Sequence, residues 1–563
     1  MPRPPLLERL SDPGFTPGRR DVAPLCALLV GEDQANAKRA EAALVRAGAA
    51  ATVGVIAFAE GAPRPEAYRV ARLLGALGGE PARAYLARRL REATGKERRW
   101  AATSLAKVSP TDAEGPLLDA LDALGKAGEA GDVARGEDVR AFVQALGKVG
   151  GRATLRALDR VTTPDPETAR VVEKARLLVT RTASRGETRG AVGPAFDLEA
   201  PRDARGRVSL RFTCREGLES VLAEELGACG PRTQVMYTGR GFVSVVHTGP
   251  LREVLAARTA LSLAFELDAY SPPTEAPDGG LPARVAAFLT SPAVLEVVAT
   301  EGHGRGGKAR FRLVLTSEGY GRAAVFEVAR RVAASGAPLL NDPTESDWSF
   351  TVSERGDRLA ALLEPKNVQS ARFSYRTRDV PAASHPTVAA AIARLSAPRP
   401  DDVVWDPFCG SGLELIERAR LGPARALVGT DVDPRAIDAA LENARGAGVT
   451  VDVRQGDARE VPCPAGLTTV LTNPPLGRRV LPGEHEALLV DMLRRVGAAL
   501  APGGRLVWIS PSRRLDAVAD AAGLALQRAF DVDLGGFRGR LEIRVKPGAA
   551  PPAAYKGRRR GPR

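Results

Sequence analysis

The 563-residue chain is longer than one hydrophobic core usually organises, so a multidomain protein is expected. With 44% hydrophobic and 26% charged residues the composition is that of a folded protein and excludes wholesale disorder. A formal net charge of +13 favours a polyanionic partner, because basic surface displaces phosphate counterions, although abundant Arg, Ala, Gly and Pro are also what a GC-rich genome imposes. Cys26, Cys214, Cys229, Cys409 and Cys463 stand singly, and His247, His303, His385 and His485 are equally scattered. No metal site and no disulfide framework is expected from such spacing, and a cytoplasmic location fits it. The opening segment holds no continuous apolar run, and nowhere is there an apolar stretch of the roughly 18 residues a membrane span needs.

Residues 1–184 read as helix after helix, with Ala, Leu, Val and Arg at helical spacing and Gly or Pro at the breaks. Helix ends of one kind recur: Leu44-Val45-Arg46-Ala47-Gly48, Leu74-Gly75-Ala76-Leu77-Gly78, Leu105-Ala106-Lys107-Val108-Ser109 and Leu146-Gly147-Lys148-Val149-Gly150, at intervals of 30 to 41 residues. A pair of helices fills such an interval and cannot bury its apolar stripe alone, so stacking into an α-solenoid is expected. The pattern resembles HEAT-type repeats, a surface suited to RNA or to a protein partner. Residues 185–206, rich in Gly, Pro, Asp and Arg, read as a linker.

Residues 207–375 read as α+β. Val208 to Phe212, Gly241 to His247, Phe311 to Thr316 and Trp348 to Val352 are strand-like, while Gly217 to Leu226 and Arg322 to Ala334 have helical spacing. The run Phe212-Thr213-Cys214-Arg215-Glu216-Gly217-Leu218-Glu219 resembles the opening of the ferredoxin-like segment in THUMP-containing RNA methyltransferases. The resemblance implies that Phe311 to Leu363 is a divergent THUMP-like module that docks structured RNA.

From residue 376 to 547 short apolar runs alternate with helical patterns. Val403 to Trp405, Ala426 to Val428, Val449 to Val451, Thr468 to Leu471 and Arg505 to Ile509 are the expected strands, with helices such as Ile416 to Leu421 and Ala436 to Ala444 between them. That alternation implies a doubly wound parallel sheet covered on both faces, which Leu524 to Phe530 and Leu541 to Val545 close as an antiparallel hairpin. Residues 548–563 form a basic tail.

In a doubly wound sheet the ligand sits beyond the carboxyl ends of the strands. Asp406-Pro407-Phe408-Cys409-Gly410-Ser411-Gly412 follows the first strand, and its glycines admit close backbone approach. The loop lacks the G-x-G-x-x-G spacing that receives a pyrophosphate, so a ligand without phosphates is the better match. Asp431, in Gly429-Thr430-Asp431-Val432-Asp433, ends the second strand, where a carboxylate can accept a ribose diol. Asp457 and Ala458 follow the third, where an adenine amine can be met, and the fourth delivers Asn473-Pro474-Pro475.

This ordered set resembles class I methyltransferases, which implies S-adenosyl-L-methionine as cofactor and no metal. Asn473-Pro474-Pro475 narrows the resemblance to enzymes acting on exocyclic base amines. The Asn473 side-chain carbonyl and the Pro474 carbonyl would hold the two amine hydrogens, with Leu476 beside them. The family places an aromatic residue where Leu476 stands, and a threonine where Leu413 stands. Arg478 and Arg479 follow and can meet RNA phosphate. Together with the middle domain, the resemblance is to THUMP-containing guanosine-N2 methyltransferases of tRNA or 23S rRNA. Adenine-N6 methylation, and a non-catalytic scaffold with a vestigial fold, are the alternatives.

Overall fold

The structure, a computed structural model, describes residues 5–12, 14–61, 68–126, 133–188, 206–270, 280–301, 308–317, 319–366, 368, 371–381, 383–475 and 484–548. Of the expected linker at 185–206, residues 185–188 are helical and continue the last helix of the first region, while 189–205 lie outside the described residues, as do 549–563 of the expected tail at 548–563.

Eleven α-helices occupy the described part of the first 188 residues. They are α1 (Leu6–Arg9), α2 (Val22–Leu29), α3 (Gln34–Ala47), α4 (Ala49–Glu60), α5 (Tyr68–Leu77), α6 (Glu80–Glu92), α7 (Gly95–Val108), α8 (Glu114–Lys126), α9 (Val133–Val149), α10 (Arg152–Arg160) and α11 (Pro166–Thr188). Leu25, Leu44, Leu74, Leu86, Leu105 and Leu146 join one continuous apolar core. From α2 onward each helix meets the next but one: α2 on α4, α4 on α6, α6 on α8 and α8 on α10, and likewise α3 on α5, α5 on α7, α7 on α9 and α9 on α11. Two of the recurring helix ends lie at these contacts. A Cβ on Gly75 of α5 would come within 2.6 Å of Ser104 in α7, and one on Gly147 of α9 within 3.1 Å of Ala175 in α11. A small residue there is what lets two helices approach.

The middle region holds β1 (Val208–Thr213), α12 (Glu219–Gly227), β2 (Thr233–Gly239), β3 (Phe242–His247), α13 (Leu251–Leu255), β4 (Ser262–Tyr270), α14 (Gly280–Leu289), α15 (Pro292–Glu301), β5 (Ala309–Leu315), α16 (Arg322–Ala334), β6 (Leu339–Asn341), β7 (Trp348–Arg355) and β8 (Arg358–Pro365). All eight strands enter one sheet of order β2-β3-β1-β4-β8-β7-β5-β6. The antiparallel pairing of β4 with β8 joins the two halves that the sequence suggests separately. Period-two burial builds its core, with Leu210 and Phe212 inward from β1 and Trp348, Phe350 and Val352 inward from β7.

The last region contains α17 (Pro386–Leu395), β9 (Val403–Asp406), α18 (Leu413–Arg420), β10 (Ala426–Asp431), α19 (Pro434–Ala447), β11 (Asp452–Gln455), β12 (Thr469–Thr472), α20 (Glu484–Ala499), β13 (Arg505–Ser510), α21 (Asp516–Ala521), β14 (Ala525–Asp533) and β15 (Arg538–Val545). Its seven-stranded sheet runs β11-β10-β9-β12-β13-β15-β14, parallel except for the final hairpin. Every residue of β9, β12 and β13 is buried, as a sheet covered on both faces requires. Val404, Leu471, Val507 and Ile509 face one layer of helices, while Trp405, Val470, Leu506 and Trp508 face the other. This is a class I methyltransferase-like α/β fold.

One expected strand is displaced. Val449 to Val451 is a connection, and pairing begins only at Asp452, opposite Val428. α19 runs on to Ala447 and ends at Gly448 in the left-handed region, after which Val449 donates its amide back to Ala444 O. Val449 and Val451 pack against the core around Tyr375, Leu413 and Ala444, so they are apolar without being strand.

Candidate active site

β9 lies between β10 and β12, so the chain leaves it in opposite directions on its two sides, and a crevice opens over the strand ends at that point. The crevice is a cleft of about 810 Å³, within the usual range for a small-molecule site. Pro407, Cys409, Gly410, Ser411, Asp431, Val432, Asp433, Asp457, Ala458, Asn473, Pro474 and Pro475 all line it.

Two expected residues stand behind the wall instead. Asp406 is fully buried and does not reach the cleft; its Oδ1 accepts the Phe408 amide at 3.1 Å and so sets the turn. Gly412 caps α18 with φ +82°, and a Cβ there would meet Ala440 at 3.1 Å, so it serves helix packing. Leu476, Arg478 and Arg479 lie outside the described residues.

Asp431 accepts the Gly410 amide at 2.9 Å through Oδ2 and the Asp433 amide at 3.0 Å through Oδ1. One backbone bond on each oxygen fixes the carboxylate and leaves lone pairs for a diol. Val432, 63% exposed, offers an apolar face on the rim. Asp433 caps α19 by accepting the Arg435 amide at 2.9 Å, which is a structural role. Asp457 accepts the Arg459 amide at 2.8 Å and pairs with that guanidinium, which holds its carboxyl below the usual range. Ser411 is buried, and its Oγ has no hydrogen-bond partner among the described residues.

At the end of β12, Asn473 Nδ2 donates to Ser384 Oγ at 2.9 Å. Ser384 in turn donates to Glu414 Oε1. Asn473 Oδ1 is buried and has no partner among the described residues. Burial pushes the Glu414 carboxyl up, and burial together with the Glu414 charge pushes Asp406 well above its ordinary value.

Ser384 and Glu414 are absent from the sequence reading, as are Val380, Pro381, Leu534 and Phe537, which also line the cleft. Glu414 does carry a signal, since it is a carboxylate on the inward side of the helix that follows the glycine loop. Ser384 has none, because 89 residues separate it from its partner Asn473.

Residues 374–540 match the family described as UPF0020: RMKL-like, methyltransferase domain. A tRNA (guanine(6)-N2)-methyltransferase of Thermus thermophilus is 31% identical over 352 residues, which are 60% of this chain and 99% of that protein. The chain belongs to the RMKL-like methyltransferase family. This methyltransferase is also 31% identical, over 157 residues, to a tRNA (guanine(10)-N2)-dimethyltransferase of Methanothermobacter thermautotrophicus, spanning 27% of the chain and 46% of the relative. The crystal structure of TrmN from Thermus thermophilus aligns with a TM-score of 0.49 and 27% identity over 61% of the chain and all of that protein. Cleft, strand ends and carboxylates thus belong to a methyltransferase that carries a large further region besides the part it shares with these relatives.

Proposed function

We propose that the protein transfers a methyl group from S-adenosyl-L-methionine to the exocyclic N2 amine of a guanosine in tRNA. The observation that carries this reading is the buried Asn473 Oδ1, which has no partner among the described residues and belongs to a residue that lines the cleft. The residues present suit the cofactor: Asp431 for a ribose diol, Val432 for the face of an adenine, and the Gly410–Ser411 backbone with Ser411 Oγ, which has no partner among the described residues, for the amino-acid end. When bound, the cofactor would supply an electrophilic methyl group and leave as the neutral thioether, while the methylated amine gives up one proton to water, a reaction that needs no Lewis acid.

An exocyclic base amine is a weak nucleophile because its lone pair is delocalised into the ring. Asn473 Oδ1 and the Pro474 carbonyl accept its two hydrogens and turn the lone pair toward the donor. Pro474 and Pro475 restrict the backbone that holds them. Rate then comes from positioning and electrostatics. The base must leave its stack to enter. The guanosine amine and tRNA are favoured over adenine by the relatives, two of which are named for guanine-N2 chemistry on tRNA.

The strands β5 to β8 with α16 suit a divergent THUMP-like module for structured RNA. The two rows of alternating helices support a HEAT-like solenoid in the first region, a surface for RNA or a protein partner. Five free cysteines, three of them buried, suit a cytoplasmic enzyme.

Incubation with tRNA and S-adenosylmethionine, followed by nucleoside mass spectrometry, is expected to give N2-methylguanosine; N6-methyladenosine instead would overturn the choice of base. Asn473→Ala is expected to lower transfer by a factor of about 100 or more, the cost of removing one preorganised group, while calorimetric cofactor affinity stays. Loss of both together would assign Asn473 to the scaffold.

A further inference from the structure

A primary amide is a planar group with a nearly two-fold torsion, so the backbone at Asn473 does not by itself decide which end faces the cleft. The difference is chemical. With Oδ1 toward the cleft the side chain accepts a hydrogen from a substrate amine; rotated by half a turn it would present two N–H groups to a group that itself carries two hydrogens. Something must fix the sense of the amide.

Ser384 and Glu414 form a hydrogen-bond chain that does this. Ser384 sits just before α17 and is 9% exposed, and Glu414 sits in the first turn of α18 and is 4% exposed. The serine hydroxyl has one hydrogen, and while Glu414 is ionised that hydrogen is committed to Glu414 Oε1. Its oxygen then has only lone pairs to offer Asn473, which can be met by Nδ2 and not by Oδ1. The chain therefore has a polarity, from amide to hydroxyl to carboxyl, and that polarity leaves Oδ1 without a partner among the described residues. Neither Ser384 nor Glu414 need touch the reacting atoms to do this.

We infer that Ser384, backed by Glu414, is a positioning residue that holds the Asn473 amide with its carbonyl oxygen toward the substrate amine. The inference rests on the amine-methylation reading above and adds to it the reason why the acceptor points the right way. Ser384 also lines the cleft, so it must be separated from a simple cofactor ligand.

The test is steady-state kinetics on the full chain with tRNA, calorimetry with S-adenosylmethionine, and 15N–1H spectra of asparagine-labelled protein. The Asn473 side-chain signals are assigned by their loss in N473A. Ser384→Ala is expected to lower kcat about ten- to a hundredfold with KM for tRNA and cofactor affinity within about twofold, as for a lost buried hydrogen bond. Ser384→Thr, which keeps a hydroxyl, is expected to recover most of that loss. In the spectra the Asn473 amide protons are expected to be protected from exchange in the wild type and in S384T, and to lose that protection in S384A.

Unchanged kcat in S384A, or equal loss in S384A and S384T with both folded by circular dichroism, would overturn the inference. So would a fall in cofactor affinity that matches the fall in kcat, which makes Ser384 a cofactor ligand. A wild-type protein that methylates no guanosine defeats the functional reading instead, and the amide spectra then still decide whether Ser384 orients Asn473: unchanged protection in S384A would refute it.

Discussion

A carboxyl enclosed as completely as Asp406 is neutral over more of the pH scale than one in water. Burial, then the nearby Glu414 charge, raises its pKa well above the ordinary value of about 3.9. Between that value and the raised one, the folded chain holds a proton that the unfolded chain has released. Stability therefore falls as pH rises through the window. Asp406→Asn removes the titration while leaving an oxygen to accept the Phe408 amide. The variant is expected to gain Tm on the wild type as pH is raised above the ordinary carboxyl value of about 3.9, measured by calorimetry without ligand. A gap independent of pH would mean that Asp406 ionises in place. Asp431 and Asn473 are legible in the sequence because strand-end position alone brings them to the crevice. Asp406 is legible as a motif but not as a buried acid, since burial depends on what Glu414 and α18 put around it.

The segment from Cys214 to Glu219 shows how one element reaches a site built by others. It lies in the middle region, yet Asp533 of β14 donates its amide to Glu216 O at 3.0 Å, and Arg538 of β15 bonds Glu216 Oε2 at 2.7 Å. Arg215 adds a bond to Asp533 O at 3.3 Å. The turn so held carries Leu534 and Phe537, which line the cleft. Gly217, at φ +94°, permits the approach, because a Cβ there would stand 2.1 Å from Asp531 O. Gly217→Ala is expected to cost about 1–3 kcal/mol from backbone strain alone, with the clash in addition, and to lower the urea midpoint. Activity should fall further than stability explains, since the turn at 534–537 must shift; an unchanged midpoint would show that the segment relaxes freely. The sequence indicates the closing hairpin by its apolar pattern, but periodicity says nothing of where its turn points. The same limit explains Val449 to Val451: two half-buried valines flanking an exposed threonine at a helix end read like a strand.

At the scale of the whole chain the three regions are joined unequally. The middle region and the catalytic sheet share a core, because Leu218, just before α12, and Val221 within it pack among Val388, Ile392 and Leu541. Polar ties reinforce it: Arg258 bonds the buried Glu417 of α18 at 2.8 Å, Tyr375 donates to the same carboxylate at 2.5 Å, and Arg394 of α17 meets Glu225 of α12 at 2.9 Å. The helical region touches the rest more lightly, with α11 on α16, Glu173 at 3.6 Å from Arg330, and Arg181 bonding Asn341. Elements that share a core unfold together, whereas regions linked by a small polar surface unfold apart. Scanning calorimetry is therefore expected to show two transitions, one for the helices and one for the remaining two regions jointly. Arg258→Ala leaves Glu417 buried with its charge uncompensated, a loss of about 3–5 kcal/mol when one partner of a buried pair is removed. That variant should move the joint transition down while the helical one stays where it is. If instead both transitions shift together, or only one is ever seen, the helical region is coupled to the catalytic part through more than α11.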